Sequence, residues 1–145
     1  MVNRLRRALV LGAGGAIGGS LLASAALAAG PRPEATREVT LLSTYVAGAA
    51  YHGAAERAPR LRPGDGLELR RAPDNPYDAR AIEVRTDDGA MLGYVPRIDN
   101  QALANLMDAG FRPTARVRAV VPDPARPEIR LDVSVAIPAA ARARV

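Results

Sequence analysis

Hydrophobic and polar residues alternate along several short stretches of this chain, with turn-forming residues between them. Leu67–Arg71 begins Leu, Glu, Leu, Arg, and Ala81–Arg85 alternates through Ile82 and Val84, as half-buried strands do. Glu128–Ile137 repeats the pattern through Ile129, Leu131, Val133 and Val135. Glu38–Ala47, Met91–Val95 and Thr114–Val121 complete a set of six predicted strands. Pro63-Gly64-Asp65-Gly66 is a strong turn, and Asp87-Asp88-Gly89 joins two strands as a hairpin. Residues 48–66 read as a loop with one short helical turn near Ala54–Arg57. Pro122–Pro127 cannot hold a regular element. The period changes once, over Ile98–Ala109, where Ala102, Leu103, Leu106 and Met107 form one apolar stripe. Asp99 is the candidate N-cap of that helix and Gly110 its C′ residue. Short strands, tight turns and a single good helix predict a small, mainly β barrel, with the helix plugging or covering one end.

The N-terminus follows a different pattern. Arg4, Arg6 and Arg7 precede an uncharged run from Ala8 to Ala29 that closes on Ala26-Leu27-Ala28. A basic start, an apolar centre and an A-x-A end predict a signal peptide over residues 1–28, exported by the Sec or the twin-arginine route to the periplasm or beyond. The same run is long enough to be an uncleaved membrane anchor. Gly12, Gly15 and Gly18 also mimic a nucleotide-binding fingerprint, but Pro31 and Pro33 follow in place of the βα units such a fold needs. Residues 29–38 read as a linker, residues 39–137 as the domain and residues 138–145 as a disordered tail.

Charge at first suggests nucleic acid: the 145 residues carry a formal +5, and all 20 basic residues are Arg. Removing residues 1–28 leaves 17 Arg against 15 acidic residues, and residues 29–141 balance at 15 of each. The total therefore reports the leader and tail. With no Cys and no Lys, disulfides, Cys-based zinc sites, thiol nucleophiles and Schiff bases are excluded. His52, the one histidine, has no serine in a nucleophile-elbow context to pair with. The carboxylate pair Asp74/Asp78 is spaced for acid–base chemistry, and Asp87/Asp88 reads as turn chemistry. No cofactor or metal motif is present in the mature region, so no enzyme is expected and the chain is expected to be monomeric.

The run Arg71-Ala72-Pro73-Asp74-Asn75-Pro76-Tyr77-Asp78-Ala79-Arg80-Ala81-Ile82 stands out between two strands. Read structurally, Asn75 starts an Asx turn, Pro76 fixes φ and Tyr77 caps the barrel. With Tyr45-Val46-Ala47-Gly48 running into Tyr51, and Leu92-Gly93-Tyr94-Val95-Pro96-Arg97 ahead of the helix, the chain resembles the HIRAN domain family from about Thr44 to Val121. The resemblance implies a six-stranded OB-like barrel with one or two short helices, and a non-enzymatic module that binds the 3′-hydroxyl end of single-stranded DNA. By position, Tyr51 and Tyr77 would stack on terminal bases and Asp78 would accept the hydroxyl hydrogen bond. Asn75 would brace the loop and Arg97 would contact phosphate, with His52 and Tyr94 lining the same groove. The chain has Ala50 where DNA-binding members carry Arg, and His52 where a second aromatic is common. Its Gly53–Gly66 loop is longer, and Val121–Pro127 holds no counterpart to a later aromatic contact. The alternative reading keeps the barrel but gives its groove a peptide, glycan or envelope-protein ligand, or a structural role.

Overall fold

The computed structural model describes residues 35–139. The leader, most of the segment read as a linker, and residues 140–145 of the tail lie outside the described residues. Six antiparallel strands form one sheet in the order β1-β6-β5-β2-β3-β4. They are β1 (Thr36–Tyr45), β2 (Gly66–Arg71), β3 (Ile82–Thr86), β4 (Met91–Tyr94), β5 (Thr114–Val121) and β6 (Glu128–Pro138). The period-2 pattern sets which face is buried: Ile129, Leu131, Val133 and Val135 of β6 all point inward, as do Ile82 and Val84 of β3. All of these but Val135 join Leu92, Val95, Leu103 and Val117 in one core.

Several elements differ from the sequence expectation, each for a local reason. Strand β1 starts at Thr36, inside the segment read as a linker, because Thr36 pairs with Pro138 at the far end of β6. The Gly- and Pro-rich stretch after β1 is more helical than its composition suggests. A 3-10 turn over Ala49–Tyr51, helix α1 (Ala54–Arg57) and a 3-10 turn over Ala58–Arg60 follow one another. Each turns an alanine (Ala49, Ala54, Ala58) into the interior, where only a methyl group has to fit. Helix α2 spans Asn100–Asp108 and buries Leu103 and Ala104, whereas Ala102 faces solvent. Asp99 sits at the N-cap without capping, since its carboxylate instead accepts the Thr44 hydroxyl at 2.6 Å. Gly110 adopts φ +93 after the helix, as a C′ glycine should.

The barrel is not closed by a ladder. Its edges, β1 and β4, are joined by one bridge just beyond β1, where Ala47 and Tyr94 exchange both backbone hydrogen bonds at 2.8 and 2.9 Å. The bridge depends on Gly93. A Cβ there would lie 2.3 Å from the Ala47 carbonyl oxygen and 2.6 Å from Val46 Cγ1. Its φ of +150 is also one that side chains rarely adopt.

A candidate ligand cleft beside the Ala47–Tyr94 bridge

The loop between β2 and β3 is a chain of short turns. The Asn75 N–H donates to Ala72 O, the Asp78 N–H to Asn75 O at 3.3 Å, and the Ala81 N–H to Asp78 O at 3.0 Å. The Asn75 side-chain oxygen accepts the Tyr77 N–H at 2.9 Å, which is the expected Asx turn. Arg71 ties the loop's far end to the helix. Its guanidinium donates to Ala81 O at 2.8 Å and Ala79 O at 3.1 Å, and grips Asp108 of α2 at 2.8 Å. Tyr77 does not cap the barrel, because its ring stands 84% exposed at the loop's crest.

These turns aim the loop at the bridge. A cleft of about 460 Å3 opens there, with Ala47, Ala81 and Val95 supplying apolar surface. His52, Asn75, Tyr77, Asp78, Tyr94 and Arg97 line the rest of it. The His52 imidazole meets the Tyr94 ring edge-on, with centroids 5.3 Å apart and planes at 83°. Of the seven residues singled out by sequence, Tyr51 alone is not part of the lining. It is 87% exposed on the neighbouring 3-10 turn.

Asp78 is the most constrained polar group in the cleft. Its Oδ1 accepts the Arg80 N–H at 2.9 Å, and its Oδ2 accepts the Asn100 side-chain amide at 2.7 Å. The Arg97 Nε lies 3.7 Å from Oδ2, while the Arg97 amino group donates to Tyr77 O at 3.0 Å. The Arg80 N–H is the largest influence lowering the Asp78 pKa, followed by the Asn100 amide and the Arg97 charge, and together they outweigh its partial burial. The group is therefore an ionised, acceptor-only carboxylate with lone pairs left on both oxygens. Arg97 is the opposite case: its side chain is 75% exposed, so the guanidinium stays available to an anion.

Asn100 is the residue that reading the sequence missed. It is 2% exposed at the first position of α2 and braces the Asp78 carboxylate from beneath, while Asn75 holds the loop itself through its Asx turn. The available signal was its register: Asn100 lies three and four residues before the inward-facing Leu103 and Ala104. A poor helix former on the buried face needs a polar partner. Asp74 is exposed and outside the cleft lining, so the Asp74/Asp78 pair is not assembled there. Among the described residues no group of three or more His, Asp or Glu gathers as metal ligands would.

An antiparallel sheet brought edge to edge around a part-apolar cleft, with a fixed anion and an exposed guanidinium at its rim, defines a small β domain with one candidate ligand cleft. The chain belongs to the HIRAN domain family, whose sequence model matches residues 39–139. Among solved structures it is similar to a protein from Lactobacillus plantarum, with 31% identity and a TM-score of 0.64 over 70% of this chain and 98% of that one. It is also similar to the HIRAN domain of human HLTF, at 24% identity and TM-score 0.57, covering 70% and 81% of the two chains. The second likeness supports the fold. A comparison with curated proteins found no match. The family is one of binding modules, and no catalytic family is indicated.

Proposed function

We propose that this domain binds single-stranded DNA and takes the 3′-hydroxyl end in the cleft between the β2–β3 loop and the Ala47–Tyr94 bridge. The observation that carries the reading is Asp78, an ionised acceptor held between the Arg80 N–H and the Asn100 amide beside an exposed tyrosine. A terminal hydroxyl can donate to that carboxylate, whereas a terminal phosphate would bring two like charges together. Tyr77 offers a face for the last base, and the His52–Tyr94 pair forms an aromatic wall behind it. Stacking accepts any base, so the reading predicts end specificity with little sequence preference. Arg97 supplies a phosphate contact. Tyr51 stands next to the cleft and serves the adjacent base.

The test is a titration of the purified protein with short labelled strands ending in 3′-hydroxyl or 3′-phosphate, at two salt concentrations. The hydroxyl strand should bind better by about 10-fold or more, the scale of one hydrogen bond to a charged group. Asp78→Ala should erase that preference. Tyr77→Ala should weaken both strands by about 5- to 150-fold, equivalent to about 1–3 kcal/mol for one stacked base. No binding at low salt, or equal binding of both ends, refutes the reading.

A further inference from the structure

A second groove lies away from the cleft, where β2 and β5 separate. The two strands pair only at Gly66–Arg116 and Leu67–Ala115, although β2 continues to Arg71. The sequence explains the break. In continued register Leu69 would face Pro113, which has no N–H to give, and Arg70 would face Arg112, charge against like charge. Beyond the break is a groove of about 590 Å3 lined by Leu69, Met107, Phe111, Arg70 and Arg112.

The groove exposes a strand edge. The Ala72 N–H donates to Ala81 O on the β3 side, so Arg70 and Glu68, counting back by twos, also bond toward β3. Leu69 and Arg71 therefore direct their backbone N–H and C=O groups into the groove. Among the described residues nothing there bonds to them. Phe111 is 49% exposed over the same space, and neither Arg70 nor Arg112 forms an ion pair among the described residues.

We infer that this edge is a docking site for an extended acidic peptide segment of a partner protein, added as a strand along Leu69–Arg71. An incoming strand would satisfy the open backbone groups and set an apolar side chain against Phe111 and Leu69. Its carboxylates would sit between Arg70 and Arg112, two exposed cations that line the groove. A second copy of this chain is a poorer occupant, because antiparallel pairing of Leu69 with Arg71 of the copy would set Arg70 against its own counterpart.

The test uses the whole chain and a capped hexapeptide alternating glutamate and valine, with its lysine–valine counterpart as control. The acidic peptide should bind at least about 10-fold tighter and perturb the amide resonances of Leu69, Arg71 and Phe111. Methylating alternate peptide nitrogens along the bonding edge should weaken it by a similar factor, since strand addition rests on main-chain hydrogen bonds. The double variant Arg70→Glu/Arg112→Glu, at two exposed positions, should fold normally by circular dichroism and reverse the preference toward the lysine peptide. Equal binding of both peptides overturns the inference, as does acidic binding indifferent to N-methylation. A dimer in sedimentation that Phe111→Ser abolishes would assign the edge to self-pairing and overturn it as well.

Discussion

The sheet loses its ladder in two places and treats them in opposite ways. Between β1 and β4 a single bridge survives, and the chain packs there tightly enough that a methyl group on Gly93 would collide with the Ala47 carbonyl. Between β2 and β5 two pairs form and the strands then part, leaving backbone groups of Leu69 and Arg71 open. One or two residues decide each outcome. Glycine lets two backbones meet in the first place, and proline with a pair of like charges keeps them apart in the second. The comparison shows that closure and opening of a small barrel are set locally, by residues whose effect depends on what lies opposite. The motif cleft grows from the closed seam, and the open seam is a separate surface.

The largest effect should come from breaking the closed seam. Gly93→Ala places its Cβ 2.3 Å from a carbonyl oxygen and 2.6 Å from Val46 Cγ1, neither of them the far end of a flexible side chain. Overpacking and the unfavourable φ should together cost about 2–5 kcal/mol. For a domain of this size that lowers Tm by roughly 10 °C or more. Cleft binding should fall with it, because Ala47 and Tyr94 both line the cleft. A thermal melt matching the parent would show that the bridge does not hold the barrel together.

Asn100 comes next. Asn100→Ala removes the amide that braces Asp78 Oδ2 at 2.7 Å, a loss of about 1.5–3 kcal/mol for a hydrogen bond to a charged group. The effect should depend on pH in a definite direction. The Asp78 pKa is lowered in the folded protein, so its stabilising contribution is complete above the ordinary aspartate value near 3.8 and disappears as pH falls through the lower folded value. Melts of parent and variant should therefore differ most at neutral pH and converge in acid below about pH 4. A gap unchanged down to pH 2.5 would place the cost in packing and not in the carboxylate.

What the sequence reveals and hides follows the same division between local and opposed residues. Period-2 alternation marks Ile129–Val135 and Ile82–Val84 as inward faces because each strand carries its own burial pattern. The turn at Asn75 is equally legible, since its side chain bonds only two residues along. The bridge from Ala47 to Tyr94 spans much of the domain, and nothing near either residue announces the other. Asn100 is hidden for the same reason: its partner, Asp78, belongs to a different loop. Gly93 could be seen in its motif, but its purpose appears only with the Ala47 carbonyl in place. Pro113 and the Arg70–Arg112 opposition likewise gain meaning only once the β2–β5 register is known. The helix shows a milder form of this, since its apolar stripe suggested Ala102 as buried and packing selected Ala104.

The smallest expected effect tests the open seam. Arg112→Glu would place a carboxylate across from Arg70 in the continued register, turning a repulsive pair into an attractive one. Such a cross-strand pair is worth about 0.2–1 kcal/mol, and the solvent around both exposed side chains keeps it near the lower end. Pro113 still denies Leu69 its donor, so the ladder should not extend fully and the gain in Tm should be no more than a few degrees. Amide exchange is the sharper readout. If like charge helps hold the seam open, the Leu69 and Arg71 N–H groups should exchange more slowly in Arg112→Glu than in the parent. If proline alone holds it open, their exchange should be unchanged and the Arg70–Arg112 opposition would be incidental to the gap.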